Sequence, residues 1–192
     1  PGAVRQEAMI KSHDRSGWFG ASDTGKVMGR WDGKAFEKWW LVKLGVRSED
    51  FATEAMKTGT ALEHRILEHI GVRRMDRQIK IRRLLLRVNL DGETRDCIHE
   101  VKTHSSEVFQ VTKAYWQQCQ VEMFAARKPC RIVSYHVLPE DHHNWFLPID
   151  DSRLGYHPIP YDQAWIKEAY LPRMRYLAEC LRKGAWPDGN AV

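Results

Sequence analysis

Leu84-Leu85-Leu86-Arg87-Val88-Asn89-Leu90-Asp91-Gly92, followed after a short polar link by Cys97-Ile98-His99-Glu100-Val101-Lys102-Thr103, sets the architecture of the chain. Gln78 to Arg83, Leu84 to Leu90 and Cys97 to Thr103 are short runs rich in apolar and β-branched residues, and Asp91-Gly92 reads as a turn, so three paired strands are expected. Glu100 and Lys102 are two apart on a strand, so their side chains leave the same face about 6.5–7 Å apart. Asp91 ends the preceding strand, and pairing across the Gly92 to Asp96 connection lets its carboxylate converge on that of Glu100. Two converging carboxylates with an open side suit Mg²⁺, which takes a few protein oxygens and keeps waters for a phosphate. Lys102 beside them can orient or deprotonate a metal-bound water and neutralise charge growing on phosphorane oxygens. An E-x-K pair also occurs on ordinary surface strands, so its neighbours must decide.

Upstream the chain reads as helices. Ser22 can cap a short one beginning Asp23-Thr24, and Gly33 precedes a second, with Phe36, Trp39 and Trp40, that ends near Gly45. A third is expected from about Thr53 to Ile70, where Met56, Gly59, Leu62, Ile66 and Ile70 recur at three- and four-residue spacing. It carries Glu63, a third acid, one turn after Gly59, whose missing side chain leaves room for a ligand or strand. Downstream follow a helix from about Val111 to Arg127, strands Arg131 to Leu138 and Trp145 to Ile149 joined by a polar turn, and a helix from about Tyr161 to Lys183 kinked at Pro172. The order α, α, α, β, β, β, α, β, β, α predicts an α/β fold: a mixed central sheet flanked by helices on both faces.

With 192 residues, 43% hydrophobic and 29% charged, the chain is ordinary globular material, large enough to bury roughly 70% of its unfolded surface. One domain over 1–192 is expected, with 1–14 as a flexible N-terminus. No window approaches the roughly 18 apolar residues of a membrane span. No signal-peptide stretch opens the chain, so a cytoplasmic setting is expected, and a start at Pro1 suggests a processed or engineered terminus. The four cysteines, Cys97, Cys119, Cys130 and Cys180, lack a C-x-x-C pair and read as reduced thiols rather than a zinc site. The segment Arg73 to Arg87 carries seven cations against Asp76 alone, so it holds +6 while the remainder sums to −1. A concentrated strip including Arg73, Arg74, Arg82 and Arg83 is the footprint of a protein that meets a DNA backbone; a solvated hairpin paired with acids elsewhere would look the same.

In combination these pieces resemble the PD-(D/E)xK nuclease superfamily, and within it the phage lambda-type exonuclease and YqaJ-like viral recombinase branch. The likeness runs from about Arg15 to Leu138 through R-S-G-W-F-G-A-S (Arg15 to Ser22), G-T-A-L-E-H (Gly59 to His64), N-L-D-G (Asn89 to Gly92), H-E-V-K (His99 to Lys102) and A-Y-W-Q-Q-C-Q-V-E-M (Ala114 to Met123). The resemblance implies a restriction-endonuclease-like core and a Mg²⁺-dependent exonuclease, with Mn²⁺ as substitute, that digests one strand of linear double-stranded DNA from 5′ to 3′ in recombination by single-strand annealing. It implies Asp91, Glu100 and the Val101 carbonyl as metal ligands, Glu63 on a second metal or its water, and Lys102 as the catalytic lysine. Gln118 would stand near the attacking water with Tyr115 one turn before it, and Arg15 and Ser22 would bind the 5′-terminal phosphate. It also implies a ring-shaped homotrimer, a single-strand annealing protein as partner, and a phage or prophage origin in a bacterial cytoplasm.

Other residues invite a role. His64 and His104 are open candidates for a supporting or DNA contact, whereas His99 has the wrong parity to face Glu100. His142 and His143 read as solvated loop. Trp39, Trp40, Trp116 and Trp165 suit core packing, and Trp18 and Trp31 are candidates to stack on a frayed DNA end. The rival readings are an endonuclease or repair or defence nuclease of the same fold, and a DNA-binding module with a vestigial site.

Overall fold

The computed structural model describes residues 7–9, 16–47, 54–189 and 191. Its centre is a six-stranded sheet in sequence order: β1 (Glu7–Met9), β2 (Arg74–Ile81), β3 (Leu86–Glu93), β4 (Ile98–His104), β5 (Cys130–His136) and β6 (Leu154–Ile159). Only β4 and β5 run parallel, the crossover between them being α4 (Lys113–Ala126); the other neighbours are antiparallel. Helix α3 (Glu54–His69) covers one face, where Leu62, Ile66 and Leu67 pack on Val101, Val133 and Tyr135. The other face carries α1 (Thr24–Val27), α2 (Lys34–Lys43), α4 and α5 (Leu171–Lys183) around Leu86, Val88, Leu90, Ile98 and Ile132. This is the α/β arrangement the periodicities predict.

Several local expectations are corrected. Asp91 and Gly92 lie inside β3, and the link to β4 runs through Thr94, whose N–H reaches the Cys97 carbonyl at 2.8 Å. Gly92 is there for close approach: a Cβ at this position would sit 2.7 Å from Leu67 Cδ2 and 2.9 Å from Val72 Cγ1. A 3-10 turn (Arg82–Leu84) with Leu85 at φ 49 separates β2 from β3, and Phe19 is stitched to this corner by hydrogen bonds to Leu85 and Arg87. Trp145 to Ile149 is no strand: the Arg65 guanidinium gathers the carbonyls of Trp145, Phe146 and Leu147, and Pro148 has no N–H to offer a ladder. The last strand is β6, whose Gly155 and Pro158 are tolerated because it is an edge. Glu7–Met9, within the expected flexible terminus, pairs with β2. Before α5 the helix takes a π-helical turn (Trp165–Tyr170), and Pro172 sits in the first turn of α5.

Most tryptophans serve the core, as expected. Trp40 is fully buried, and Trp116 meets Trp165 edge-on at 5.0 Å. Trp31 is buried too, stacked on Tyr176 at 5.7 Å, which corrects its candidacy for a DNA end.

Candidate active site

The β3–β4 ladder is held at Gly92↔His99 and Glu93↔Ile98. Beyond these pairs Asp91 Oδ2 accepts the Val101 N–H at 2.8 Å, a side chain standing in for a ladder bond. A cleft of about 590 Å³ opens here, lined by Glu63 from α3, Asp91 from β3, Glu100, Val101 and Lys102 from β4, and Gln118 from α4. The sequence spreads these residues from Glu63 to Gln118, and the parting of two strands between two helices brings them together. Gly59, one turn before Glu63, lets α3 approach β4; a Cβ there would stand 3.2 Å from Thr103 Oγ1.

Glu100 is buried, and its Oε1 accepts from Lys102 Nζ at 2.6 Å and from Gln118 Nε2 at 2.5 Å. Its Oε2 is buried with no hydrogen-bond partner. The Lys102 ammonium lies 5.2 Å over the Tyr115 ring, and Gln118 also donates to Glu122 Oε1 at 2.9 Å. Burial and then the facing Glu100 push the Glu63 carboxyl up to about 7, and raise Asp91 and Glu122 well above the carboxylate range. Burial pulls Lys102 down, but Glu100 and Asp91 outweigh it and hold the amine charged. Four carboxyl groups thus share one ammonium. The residues fit a divalent cation: hard oxygen donors in excess charge, with one buried carboxylate oxygen unsatisfied.

A second group adjoins it. Glu63, His64 and Asp76 bring ligand atoms within 4.8 Å of one another, and His64 Nε2 is 2.9 Å from Asp76 Oδ2. Asp76 was not among the expected site residues, although it is the lone acid of the basic strip; it adopts φ 55, a conformation costly for a non-glycine residue. Glu122 was missed as well, and its i+4 spacing from Gln118 on α4 was the available signal.

Ser22 lies on the cleft wall beside Gly20 and Ala21, with Trp18 nearby. It does not cap a helix: the first turn (Ala21–Asp23) begins after Gly20, whose N–H is taken by Asp23 Oδ2 at 2.7 Å. Asp23 is buried, paired with the equally buried Lys43 at 2.7 Å and accepting from Trp39 Nε1 at 2.9 Å, which fixes this segment against the cleft. Arg15 lies outside the described residues.

The basic strip is not one surface. Arg74 Nε and Arg77 Nη1 reach Glu93 at 2.9 and 3.0 Å, and Lys80 lies 5.5 Å over Trp18. Arg82 and Arg83 are exposed on the 3-10 turn, whose carbonyls accept from Arg182, Arg73 is exposed, and Arg87 lines the cleft. His99 is buried and turned from Glu100, accepting from Arg131 Nε at 3.1 Å, as its parity predicts. His142 is half-buried, within 3.0 Å of Thr58 Oγ1, so that turn is less solvated than expected. Cys119, Cys130 and Cys180 are buried and all four thiols are free. No helix among the described residues is long and apolar enough to cross a membrane.

No family model and no curated protein matches the sequence. Solved structures do. An alkaline exonuclease from Laribacter hongkongensis superposes with a TM-score of 0.61 at 21% identity, over 88% of this chain and 94% of that one. A phage-related exonuclease from Haemophilus somnus 129PT superposes with a TM-score of 0.63 at 14% identity, over 86% and 92%. The chain therefore has the fold of these exonucleases, the restriction-endonuclease-like α/β core that its motifs resemble.

Proposed function

We propose that the protein is a Mg²⁺-dependent deoxyribonuclease that digests one strand of linear duplex DNA from its 5′ ends. The observation that carries this reading is the convergence of Glu63, Asp91, Glu100 and Lys102 in one cleft, with three carboxyl groups around one ammonium and one buried carboxylate oxygen unsatisfied. In this reading Asp91, Glu100 and the Val101 carbonyl hold Mg²⁺, or Mn²⁺ in its place, and Glu63 serves a second ion or its water. When bound, the metal supplies an activated water and offsets negative charge on the scissile phosphate. Lys102 offsets charge on the phosphate oxygens, Tyr115 covers its ammonium, and Gln118 fixes the Glu100 carboxylate while orienting the incoming water. Ser22, with Arg15, binds the 5′-phosphate, and Arg73, Arg82 and Arg83 meet the backbone, while Arg74, the fourth cation expected there, is engaged by Glu93. The wider biology of the reading is phage recombination in a bacterial cytoplasm, with a ring homotrimer and a single-strand annealing protein as partner; light scattering of the purified protein tests the trimer.

The decisive experiment is digestion of linear duplex DNA labelled on one strand, with 5′-phosphate or 5′-hydroxyl ends, in Mg²⁺ or EDTA, with Lys102→Ala as control. Mg²⁺-dependent loss from phosphorylated 5′ ends, absent in the variant, is expected. Equal digestion of both end types removes the phosphate pocket, and cutting of circular plasmid makes the protein an endonuclease. Binding without turnover under either metal makes it a DNA-binding module.

A further inference from the structure

Beyond Lys102 the catalytic face of the sheet continues into a second, open cavity of about 330 Å³ that the proposed chemistry does not use. His104 follows Glu100 and Lys102 at the same strand parity, and the parallel register sets Lys102 beside Ser134 and His104 beside His136. His157 enters from the edge strand β6, where Ile132 is its register partner. The imidazoles of His104 and His136 lie nearly parallel, 5.4 Å apart at 12°. Phe109, from the loop after β4, sits 5.1 Å from His104 and 4.7 Å from His157, and parallel to Tyr115 at 6.0 Å. An unbroken run of rings therefore leads from the Tyr115 that covers Lys102 to the sheet edge.

The floor of this cavity is built. Ser134 is buried, with its Oγ 2.9 Å from His157 Nε2. Gly155 makes that contact possible, because a Cβ there would stand 2.5 Å from Ser134 Oγ and 2.9 Å from His157 Nε2. His104 is held by Nδ1–H donating to the Ser106 carbonyl at 2.8 Å and remains half-exposed at the cavity wall. The wall offers a phosphate little: Glu107 is an acid, and the Arg153 guanidinium is engaged by Asp141 at 2.7 Å and Asp150 at 3.8 Å. Ring faces set among imidazole nitrogens and the hydroxyls of Ser134 and Ser152, with the one guanidinium already engaged, suit a flat, uncharged ligand that carries hydrogen-bonding edges.

We propose that the cavity bounded by His104, Phe109, Ser134, His136 and His157 binds an unpaired nucleobase of single-stranded DNA by stacking, next to the cleft where the phosphate is cut. The proposal rests on the deoxyribonuclease reading for its ligand, and its test does not depend on turnover.

Affinity is measured by fluorescence anisotropy in EDTA for a labelled deoxyadenylate hexamer and for an abasic hexamer of the same length and charge. The wild-type protein should bind the adenylate hexamer about tenfold more tightly. His136→Ala should bring that ratio close to one, and His136→Phe, which keeps a stacking face, should restore it with an unchanged melting temperature. Phe109→Leu, in the half-buried loop, should lower the ratio as well and serves if His136→Ala does not fold. Equal wild-type affinity for the two hexamers, or a ratio that ignores both substitutions, overturns the proposal. Duplex digestion in Mg²⁺, run in parallel, separates the two ideas. A protein that digests DNA with a base-independent ratio loses only this cavity; one that never digests DNA yet shows the His136-dependent ratio loses only the nuclease reading.

Discussion

Glu93 and Glu100 stand on adjacent strands, both buried, in opposite surroundings. Glu93 receives three cations: Arg74 at 2.9 Å, Arg77 at 3.0 Å and Lys128 at 2.7 Å. Glu100 receives one, Lys102 at 2.6 Å, while Asp91, Glu63 and Glu122 crowd it with further carboxyl groups whose pKa values it helps to raise, and its Oε2 stays unsatisfied. Taking a carboxylate out of water costs several kcal/mol unless partners replace the solvent. At Glu93 the chain supplies those partners in full, and at Glu100 it does not. The difference separates a carboxylate that holds β2, β3 and the α4–β5 link together from one that waits for a cation and a phosphate. It also shows where part of the basic strip is spent: Arg74 and Arg77 reach inward to Glu93.

The comparison is broken most directly at the cleft. Lys102→Ala should lower metal-dependent DNA cleavage by about 10²–10³-fold at saturating substrate, because it removes the ammonium that offsets phosphate charge. Cleavage within a few-fold of wild type would make the Glu100–Lys102 pair structural, like its neighbour. The mirror experiment is Glu93→Gln, which leaves the half-buried Arg77 and Lys128 without their carboxylate and should cost about 3 kcal/mol in chemical denaturation. Arg74, Arg77 and Lys128 hold the Glu93 carboxyl below its ordinary 4.5 despite burial, so its contribution is full above that value and is lost as pH falls through the lower folded-state value. The Gln variant should flatten this acid limb of the stability profile while digestion persists.

Metal titration sharpens the same contrast. If the excess charge at Glu100 is a cation site, Mg²⁺ at a hundredfold excess over its Kd should stabilise the wild type by about 2.7 kcal/mol. Asp91→Asn should abolish that gain, and Glu93→Gln should leave it intact. A gain that survives in Asp91→Asn would move the ion elsewhere, with the Glu63, His64 and Asp76 group as the place to look.

Much of this was legible in the sequence and some was not, for identifiable reasons. The spacing of Glu100 and Lys102, the periodicity of α3 behind Glu63 and the helix expected from about Val111 to Arg127 that bears Gln118 are local signals, and the structure brings all three residue sets to one cleft. Asp91-Gly92 misled because Asp-Gly is a turn signature, whereas Gly92 here answers to Leu67 and Val72 arriving from α3, a contact no local pattern announces. Trp145 to Ile149 looked like a strand by composition, but Arg65, 80 residues earlier, holds its carbonyls. The burial of Trp31 and the diversion of Arg74 and Arg77 to Glu93 are likewise tertiary facts. Asp76 escaped because its significance lies in a left-handed backbone and in His64, neither visible in a charge count.

The smallest expected effect discriminates within the cleft itself. Gln118 ties Glu100 and Glu122 together by donating to both, yet the two acids have unlike duties. Glu122 is fully buried, its Oε2 accepts from the Cys130 thiol at 3.9 Å, and the Cys119 sulfur lies close by. Burial and the facing Glu100 raise its carboxyl well above the usual range, so it keeps its proton where Glu100 must offer charge. Glu122→Gln replaces a neutral acid by a neutral amide of the same shape and keeps the Oε1 acceptor for Gln118. Its stability at pH 6 should stay within about 1 kcal/mol of wild type. A raised folded-state pKa makes the wild-type acid lose stability as pH climbs above the ordinary 4.5, and the amide has no such slope, so the variant should gain on the wild type towards pH 8. Its Mg²⁺-induced shift and its cleavage rate should survive, whereas Glu100→Gln should lose both. A Glu122→Gln variant without the Mg²⁺ shift would instead make Glu122 one of the charges the cation answers to, and the site would extend along α4 past Gln118.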